Sequence, residues 1–201
     1  MSTEQLKQWE SDFGDAYTER NVVSWQTRRP AWQRMIGNLQ LGNVVEIGPN
    51  RGHNLQAIAD LDCVTGQIVG VEPNVKAAGI AQASFPRATL VQGNVFALPY
   101  ADRCADLVFT VGVLIHVALT NLPQALDEIY RVSRRYILCI EYFAEIETVI
   151  YYRGSNNMLW KRDFKQHFFD RYPQLRMIDS GYWDKAQGFD RSHWWLFENI
   201  E

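Results

Sequence analysis

Apolar residues recur along this chain in short runs, divided by polar turns and by segments with helical spacing. The first run, Asn43 to Gly48, is apolar on both faces except at Glu46, the pattern of a central parallel strand. It ends in a glycine turn, Gly48-Pro49-Asn50-Arg51-Gly52, and a helix-like stretch follows from Asn54 to Ala59. The rhythm repeats: Gln67 to Glu72 predicts a second strand, Asn74 to Phe85 a helix, and Arg87 to Gln92 a third strand. Ala105 to Val111 predicts a fourth strand and Arg135 to Tyr142 a fifth. Between them, Leu122, Leu126, Ile129 and Tyr130 stand at helical spacing within Asn121 to Val132, with Asn121 placed to cap that helix.

The ends of the chain depart from this rhythm. Ser2 to Arg34 is polar, spotted with Trp9, Phe13, Tyr17, Trp25 and Trp32, and is expected to be helical in pieces. Phe143 to Asp163 is rich in donors and aromatics without clean periodicity. Leu175 to Trp183 and His193 to Glu198 read as two last strands. Their connector, Asp184 to Ser192, is polar, has no helix pattern, and is too short for a parallel crossover, so the pair is expected to be antiparallel. Trp194 and Trp195 must then point to opposite faces, and at most one can face a pocket. The expected fold is one α/β domain, a doubly wound, mostly parallel seven-stranded sheet with a terminal antiparallel hairpin. Its parts are a helical cap (1–42), a ligand-binding core (43–142), and a loop with the last two strands (143–201).

Composition narrows this picture. At 201 residues and 47% hydrophobic, the chain can build one well-cored domain. A net charge of −3 supplies no general basic field for nucleic acid. Cys63, Cys104 and Cys139 are widely spaced, with no CxxC or Cys/His cluster, so free thiols and no metal site are expected. No apolar run approaches the roughly 18 residues of a membrane span. The N-terminus lacks the basic-then-apolar pattern of an export signal. The expectation is a cytoplasmic protein without nucleic-acid or membrane partners; a homodimer is left open.

The chemistry begins at the glycine turn. Gly48 and Gly52 can take backbone angles that other residues resist, and they let a ligand approach the main chain. The helix start offers free N–H groups that suit an anion. Glu72 ends the second strand 20 positions after Gly52, where a carboxylate can accept both hydroxyls of a ribose. These features point to an adenosine-containing ligand. A pyrophosphate cradle needs glycine where Asn50 stands, and Pro49 removes an N–H. No Gly-Lys-Ser/Thr follows, so a phosphate loop is absent too. Ribose and adenine without phosphate fit better, as in S-adenosylmethionine, with its carboxylate at the helix start near His53 and Asn54. NAD is the distant alternative.

Three further features bear on chemistry. Glu46 is a lone charge in a buried strand and needs a partner. Gly112 and His116 follow the fourth strand, where open α/β sheets bind substrates, and an imidazole is suited to take a proton near neutral pH. Arg153, Lys161 and Arg162 would together hold a carboxylate or phosphate; the competing reading is a solvated face balancing Glu145 and Glu147.

The pattern Glu46-x-Gly48-x-x-x-Gly52, with Glu72, Gly93-Asn94-Val95-x-x-Leu98-Pro99 and Asp106-Leu107-Val108-Phe109, resembles the class I S-adenosylmethionine-dependent methyltransferases. The resemblance covers about Val44 to Tyr142. Two outlying stretches resemble the small methylases associated with pseudaminic acid biosynthesis. They are Phe13-Gly14-Asp15-x-Tyr17-x-x-Arg20-Asn21 and Tyr152-Arg153-Gly154-x-x-x-x-Leu159-x-Lys161-Arg162-Asp163-Phe164.

The resemblance implies a Rossmann-like sheet whose last strand inserts between the fifth and sixth. It implies a cofactor, S-adenosylmethionine, held by Glu46, Gly48, Asn50, Gly52, Asn54, Glu72 and Pro73. Asn94, Val95, Val111 and Gly112 extend that set, and Tyr17, Arg20 and Asn21 form a lid. The family usually has Asp where Asn94 stands; Asn would accept from the adenine amino group through its amide oxygen, without charge. The implied reaction leaves S-adenosylhomocysteine and methylates a small molecule, an acidic nonulosonic sugar or its nucleotide-linked form, on oxygen. His116 is the expected base, Glu141 the second choice, and Arg153, Lys161 and Arg162 the expected substrate contacts. The alternatives are another small carboxylate or amine acceptor, and a non-catalytic protein that binds the cofactor.

Overall fold

The computed structural model describes residues 2–200. The polar N-terminal stretch folds as three helices, α1 (Glu4–Trp9), α2 (Asp12–Arg20) and α3 (Trp25–Ile36). The alternating core follows: β1 (Val44–Ile47), α4 (His53–Ala59), β2 (Ile68–Glu72), α5 (Val75–Ser84), β3 (Thr89–Gln92), β4 (Ala105–Val111), α6 (Leu122–Val132) and β5 (Ser133–Glu141). The last part holds β6 (Thr148–Val149), β7 (Trp160–Lys161), α7 (Phe164–Arg171), β8 (Leu175–Trp183) and β9 (Ser192–Asn199).

Seven strands form one sheet in the order β3-β2-β1-β4-β5-β9-β8, and β6 pairs with β7 in a separate small sheet. β1 runs parallel to both β2 and β4, and β4 runs parallel to β5. β9 lies between β5 and β8 and is antiparallel to both, as the connector length and the resemblance imply. From β1 the chain builds outward to β2 and β3 on one side and to β4 and β5 on the other. That reversal opens a crevice at the carboxyl ends of β1 and β4.

Each face of the sheet is covered. Trp32 and Ile36 of α3 and Leu55 and Ile58 of α4 pack with Val44, Leu107, Phe109 and Leu138. Leu122, Leu126 and Ile129 of α6 and Phe164 and Phe168 of α7 pack with Val45, Val108, Ile137 and Phe197. Trp194 joins the first layer and Trp195 the second, so β9 does point them apart.

Three local findings differ from the sequence reading. α7 is a helix where no element is expected; its eight residues are too few to show a period, yet Phe164 and Phe168 share its buried side and Asp163 caps it by accepting from the Gln166 N–H at 3.1 Å. The connector between β8 and β9 holds a one-turn 3-10 helix, Lys185–Gln187, closed by an Asp184–Gln187 capping box. Asn121 stands at the N-cap of α6 without a side-chain capping bond. Among the described residues no helix is long and apolar enough to cross a membrane, and no group of His, Cys, Asp and Glu is placed to hold a metal ion.

Candidate functional site

The carboxyl ends of β1, β2 and β4 open into one cavity of about 650 Å³. That lies within the usual range of small-molecule sites, roughly 300–1,000 Å³. The glycine turn forms its floor. Gly48, Asn50 and Gly52 all have positive φ, at 70°, 48° and 75°. A Cβ on Gly48 would meet Val113 Cγ2 at 2.7 Å, so both backbone angle and space require glycine there. Asn50 is the side chain that best tolerates the left-handed region.

Asn50 also fixes the acid of the second strand. Its N–H donates to Glu72 Oε2 at 2.8 Å, and the Asn74 N–H donates to Oε1 at 2.9 Å. Both oxygens are thereby held at the end of β2, and Glu72 and Pro73 line the cavity. Burial outweighs the two donors and pushes the Glu72 carboxyl up to about 7. Glu46 finds its partner in Asn54, whose Nδ2 donates to Oε1 at 2.7 Å. Glu46 Oε2 is buried without a partner, and burial pushes this carboxyl up to about 8. Asn54 lines the cavity; Glu46 and Gly52, expected to hold the cofactor, do not.

Asn94, Val95, Val111 and Gly112 line the far side. The Asn94 amide oxygen already accepts the Phe96 N–H at 3.0 Å, so it shapes the loop as well as facing the cavity. The N-terminal helices close the top. Tyr17, Arg20 and Asn21 line the cavity, and so does Trp9. Asn50 Nδ2 donates to Thr18 Oγ1 at 2.8 Å, and Asn21 Nδ2 donates to Asn50 Oδ1 at 3.1 Å. These bonds tie the end of α2 directly to the glycine turn.

His116 ends the 3-10 turn Leu114–His116 after β4 and reaches the cavity. Trp9 packs against its ring at 4.7 Å and Tyr152 at 5.5 Å. Its Nδ1 pairs with the Met158 carbonyl. A carbonyl only accepts, so Nδ1 carries the proton and Nε2 the lone pair. Burial pushes this imidazole down to about 4.

Residues 45–137 match the family described as Methyltransferase domain. This stretch, from β1 into β5, is similar to methyltransferase domains and takes in the glycine turn, Glu72 and His116. A Mycolicibacterium smegmatis protein named "Probable S-adenosylmethionine-dependent methyltransferase" is 28% identical over 103 residues, which cover 51% of this chain and 38% of that protein. The match thus spans well under half of that relative's length. The fold is shared with a chain of the Haloferax volcanii complex that contains the Trm112 methyltransferase activator. That likeness has a TM-score of 0.70 at 16% identity and covers 100% of both chains. It is also shared with the Burkholderia thailandensis 1,6-didemethyltoxoflavin-N1-methyltransferase, solved with 1,6-didemethyltoxoflavin and S-adenosylhomocysteine. There the TM-score is 0.69 at 13% identity, covering 97% of this chain and 85% of the other.

Several expected site residues stand outside this cavity. Glu141 is buried and does not line the cavity; its Oε1 accepts the N–H groups of Val113 and Leu114 at 3.1 Å, and its Oε2 that of Ile115 at 3.2 Å. It holds the turn that carries His116. Arg162 is buried at 1% exposure, paired with Glu147 and donating to the Val117 carbonyl at 2.7 Å. Lys161 lies outside the lining, with its Nζ 5.8 Å from the Tyr142 ring centroid. Of the three basic residues only Arg153 lines the cavity. Residues that the sequence reading missed include Arg28 from α3, Tyr142 and Tyr152, and Lys185, Phe189 and Asp190 from the β8–β9 connector.

The buried groups give the protein's stability a pH signature. Burial raises three carboxyls, Glu46 to about 8 and Glu72 and Glu141 to about 7. Burial also lowers the imidazoles of His53, His116, His167 and His193. A raised acid stabilises the fold while protonated, and that stability is lost as pH climbs through its folded value. A lowered imidazole works the other way, but only up to its ordinary range near ~6.5. The two effects oppose each other below that pH, and above it only the carboxyls act. The melting temperature of the ligand-free protein is therefore expected to fall between pH ~6.5 and ~8, with Glu46→Gln removing the part above pH ~7. A melting temperature that stays level across this range in the wild type would contradict the buried, raised carboxyls.

Proposed function

We propose that this chain transfers the methyl group of S-adenosylmethionine to an oxygen of a small acidic molecule, leaving S-adenosylhomocysteine. The supporting observation is the gathering of the glycine turn, Glu72, the Asn94–Val95 corner and His116 around one cavity. The bound cofactor would supply an activated methyl on a sulfonium, already a good leaving group. The protein's own task is then to hold and align the reactants, and positioning can supply most of the acceleration. Each Glu72 oxygen holds one backbone N–H and keeps lone-pair capacity for a ribose hydroxyl. Gly48 lets the main chain approach the ligand. His116 Nε2, with its tautomer set by Met158, takes the proton of an acceptor hydroxyl.

The narrower reading, an acidic sugar of the pseudaminic type, comes from the sequence resemblance. Arg153 and the lid residue Arg20 would meet its carboxylate, and Trp9, Tyr17 and Tyr152 offer flat walls to a sugar ring. One observation favours an amine acceptor instead. The His116 ring, held down at about 4, is a weak base, and an amine needs less help. A cytoplasmic location belongs to the proposal and is supported by three free cysteines.

Thermal unfolding with S-adenosylmethionine, S-adenosylhomocysteine or NAD tests the cofactor. A ligand at 100 times its dissociation constant stabilises by about 2.7 kcal/mol. For a domain of this size that is roughly 5–11 °C. The expected shift comes with the first two ligands only, and acidic sugars are then the first acceptors to screen for S-adenosylhomocysteine release. A shift with NAD alone, or with none of the three, overturns the proposal.

A further inference from the structure

Arg28 reaches the cavity from α3 with its guanidinium fixed in place. Nε donates to the Gly188 carbonyl at 2.9 Å, and Nη1 donates to Asn54 Oδ1 at 2.8 Å. The guanidinium carbon lies 4.8 Å from the Phe189 ring centroid. Among the described residues Nη2 has no hydrogen-bond partner, and no carboxylate forms an ion pair with this side chain. Burial disfavours its charge, while Glu46, Tyr17 and Asp190 favour it. A half-buried cation without a paired anion is costly, and an anion arriving from outside resolves it. The planar fork of a guanidinium matches a carboxylate.

An opposite charge lines the same cavity. Asp190 belongs to the β8–β9 connector, lines the cavity and accepts no hydrogen bond among the described residues. Its side chain is exposed at the cavity wall, and its charge acts on Tyr142, Tyr17 and Arg28. The start of α4 is less open than its sequence suggests. His53 Nε2 is already in contact with the Asn21 carbonyl at 3.2 Å and the Val23 N–H at 3.4 Å.

We propose that Arg28 and Asp190 form a clamp for an α-amino acid group, Arg28 taking the carboxylate and Asp190 the ammonium. The proposal rests on the cofactor reading and deepens it. It puts the amino-acid end of the cofactor between α3 and the connector of the terminal hairpin. A carboxylate on the acceptor has the same chemistry, so the test must separate the two sources.

Calorimetric titration of the whole chain does so with two ligands. S-Adenosylhomocysteine carries the amino acid; 5′-methylthioadenosine has the same adenosine and thioether but lacks it. Arg28→Ala is expected to weaken the first by roughly 10- to 100-fold and to leave the second within about 3-fold. Asp190→Asn, which disturbs no hydrogen bond, is expected to weaken the first by about 10-fold with the second unchanged. If Arg28→Ala misfolds, Asp190→Asn carries the test. Equal losses for both ligands would reduce Arg28 to a structural pin and overturn the clamp. Unchanged S-adenosylhomocysteine binding in both variants would overturn it too, and would assign the charges to the acceptor. Wild type that binds neither ligand would overturn the cofactor reading itself, a distinct outcome.

Discussion

Glu72→Ala is expected to weaken S-adenosylhomocysteine binding by roughly 10²- to 10⁴-fold. The carboxylate faces the cavity with both oxygens held, ready for two ribose hydroxyls. Hydrogen bonds to a charged group are each worth about 1.5–3 kcal/mol, and two of them account for that range. The substitution also leaves the N–H groups of Asn50 and Asn74 without their acceptor, which loosens the glycine turn. Glu72→Gln separates the effects: it keeps the shape and one good acceptor but loses the charge, so its loss should be intermediate. Because burial holds this carboxyl at about 7, wild-type affinity should rise from pH ~6 to ~8 as the acceptor ionises, and Glu72→Gln should flatten that rise. Calorimetry reads both effects. If Glu72→Ala binds within a few-fold of wild type, the ribose is not at the end of β2.

The Glu72 site was legible because its requirements are local. Positive φ at Gly48 and Gly52 and an acid at a strand end depend on neighbours in sequence, and the pattern of residues 44–72 shows them. The terminal hairpin was legible for a similar reason: nine connector residues cannot cross over a sheet. Arg28 could not be read this way. Its partner Gly188 lies 160 positions away, and nothing in the spacing of α3 marks one arginine among several.

Arg162 shows the opposite error. A cation beside Lys161 in a donor-rich segment reads as a ligand contact, but Arg162 lies buried just past the end of β7, paired with Glu147 and donating to the Val117 carbonyl. Glu141 misleads likewise. An acid at the end of a buried strand looks available for chemistry, yet the turn after β4 brings three N–H groups to it. In both residues the charge serves the frame of the site, Arg162 holding Val117 and Glu141 holding the turn before it.

That frame decides how His116 can act. Glu141 holds the backbone from Val113 to Ile115, Arg162 holds Val117, and the Met158 carbonyl sets the tautomer. The ring is thus fixed with Nε2 unprotonated. With a hydroxyl acceptor, His116→Ala is expected to lower kcat by roughly 10²- to 10⁴-fold while S-adenosylhomocysteine affinity stays within a few-fold. Initial rates with saturating acceptor, paired with calorimetry, check both parts. The pH profile adds a constraint that simple loss of structure would not reproduce. A base held at about 4 is already neutral at pH ~5, so wild-type kcat should show no limb near ~6.5 from this residue. A turnover that survives His116→Ala would exclude the ring as base and favour an amine acceptor, whose own lone pair attacks the methyl. Glu141 would not replace His116, because its oxygens are committed to backbone N–H groups and it does not line the cavity.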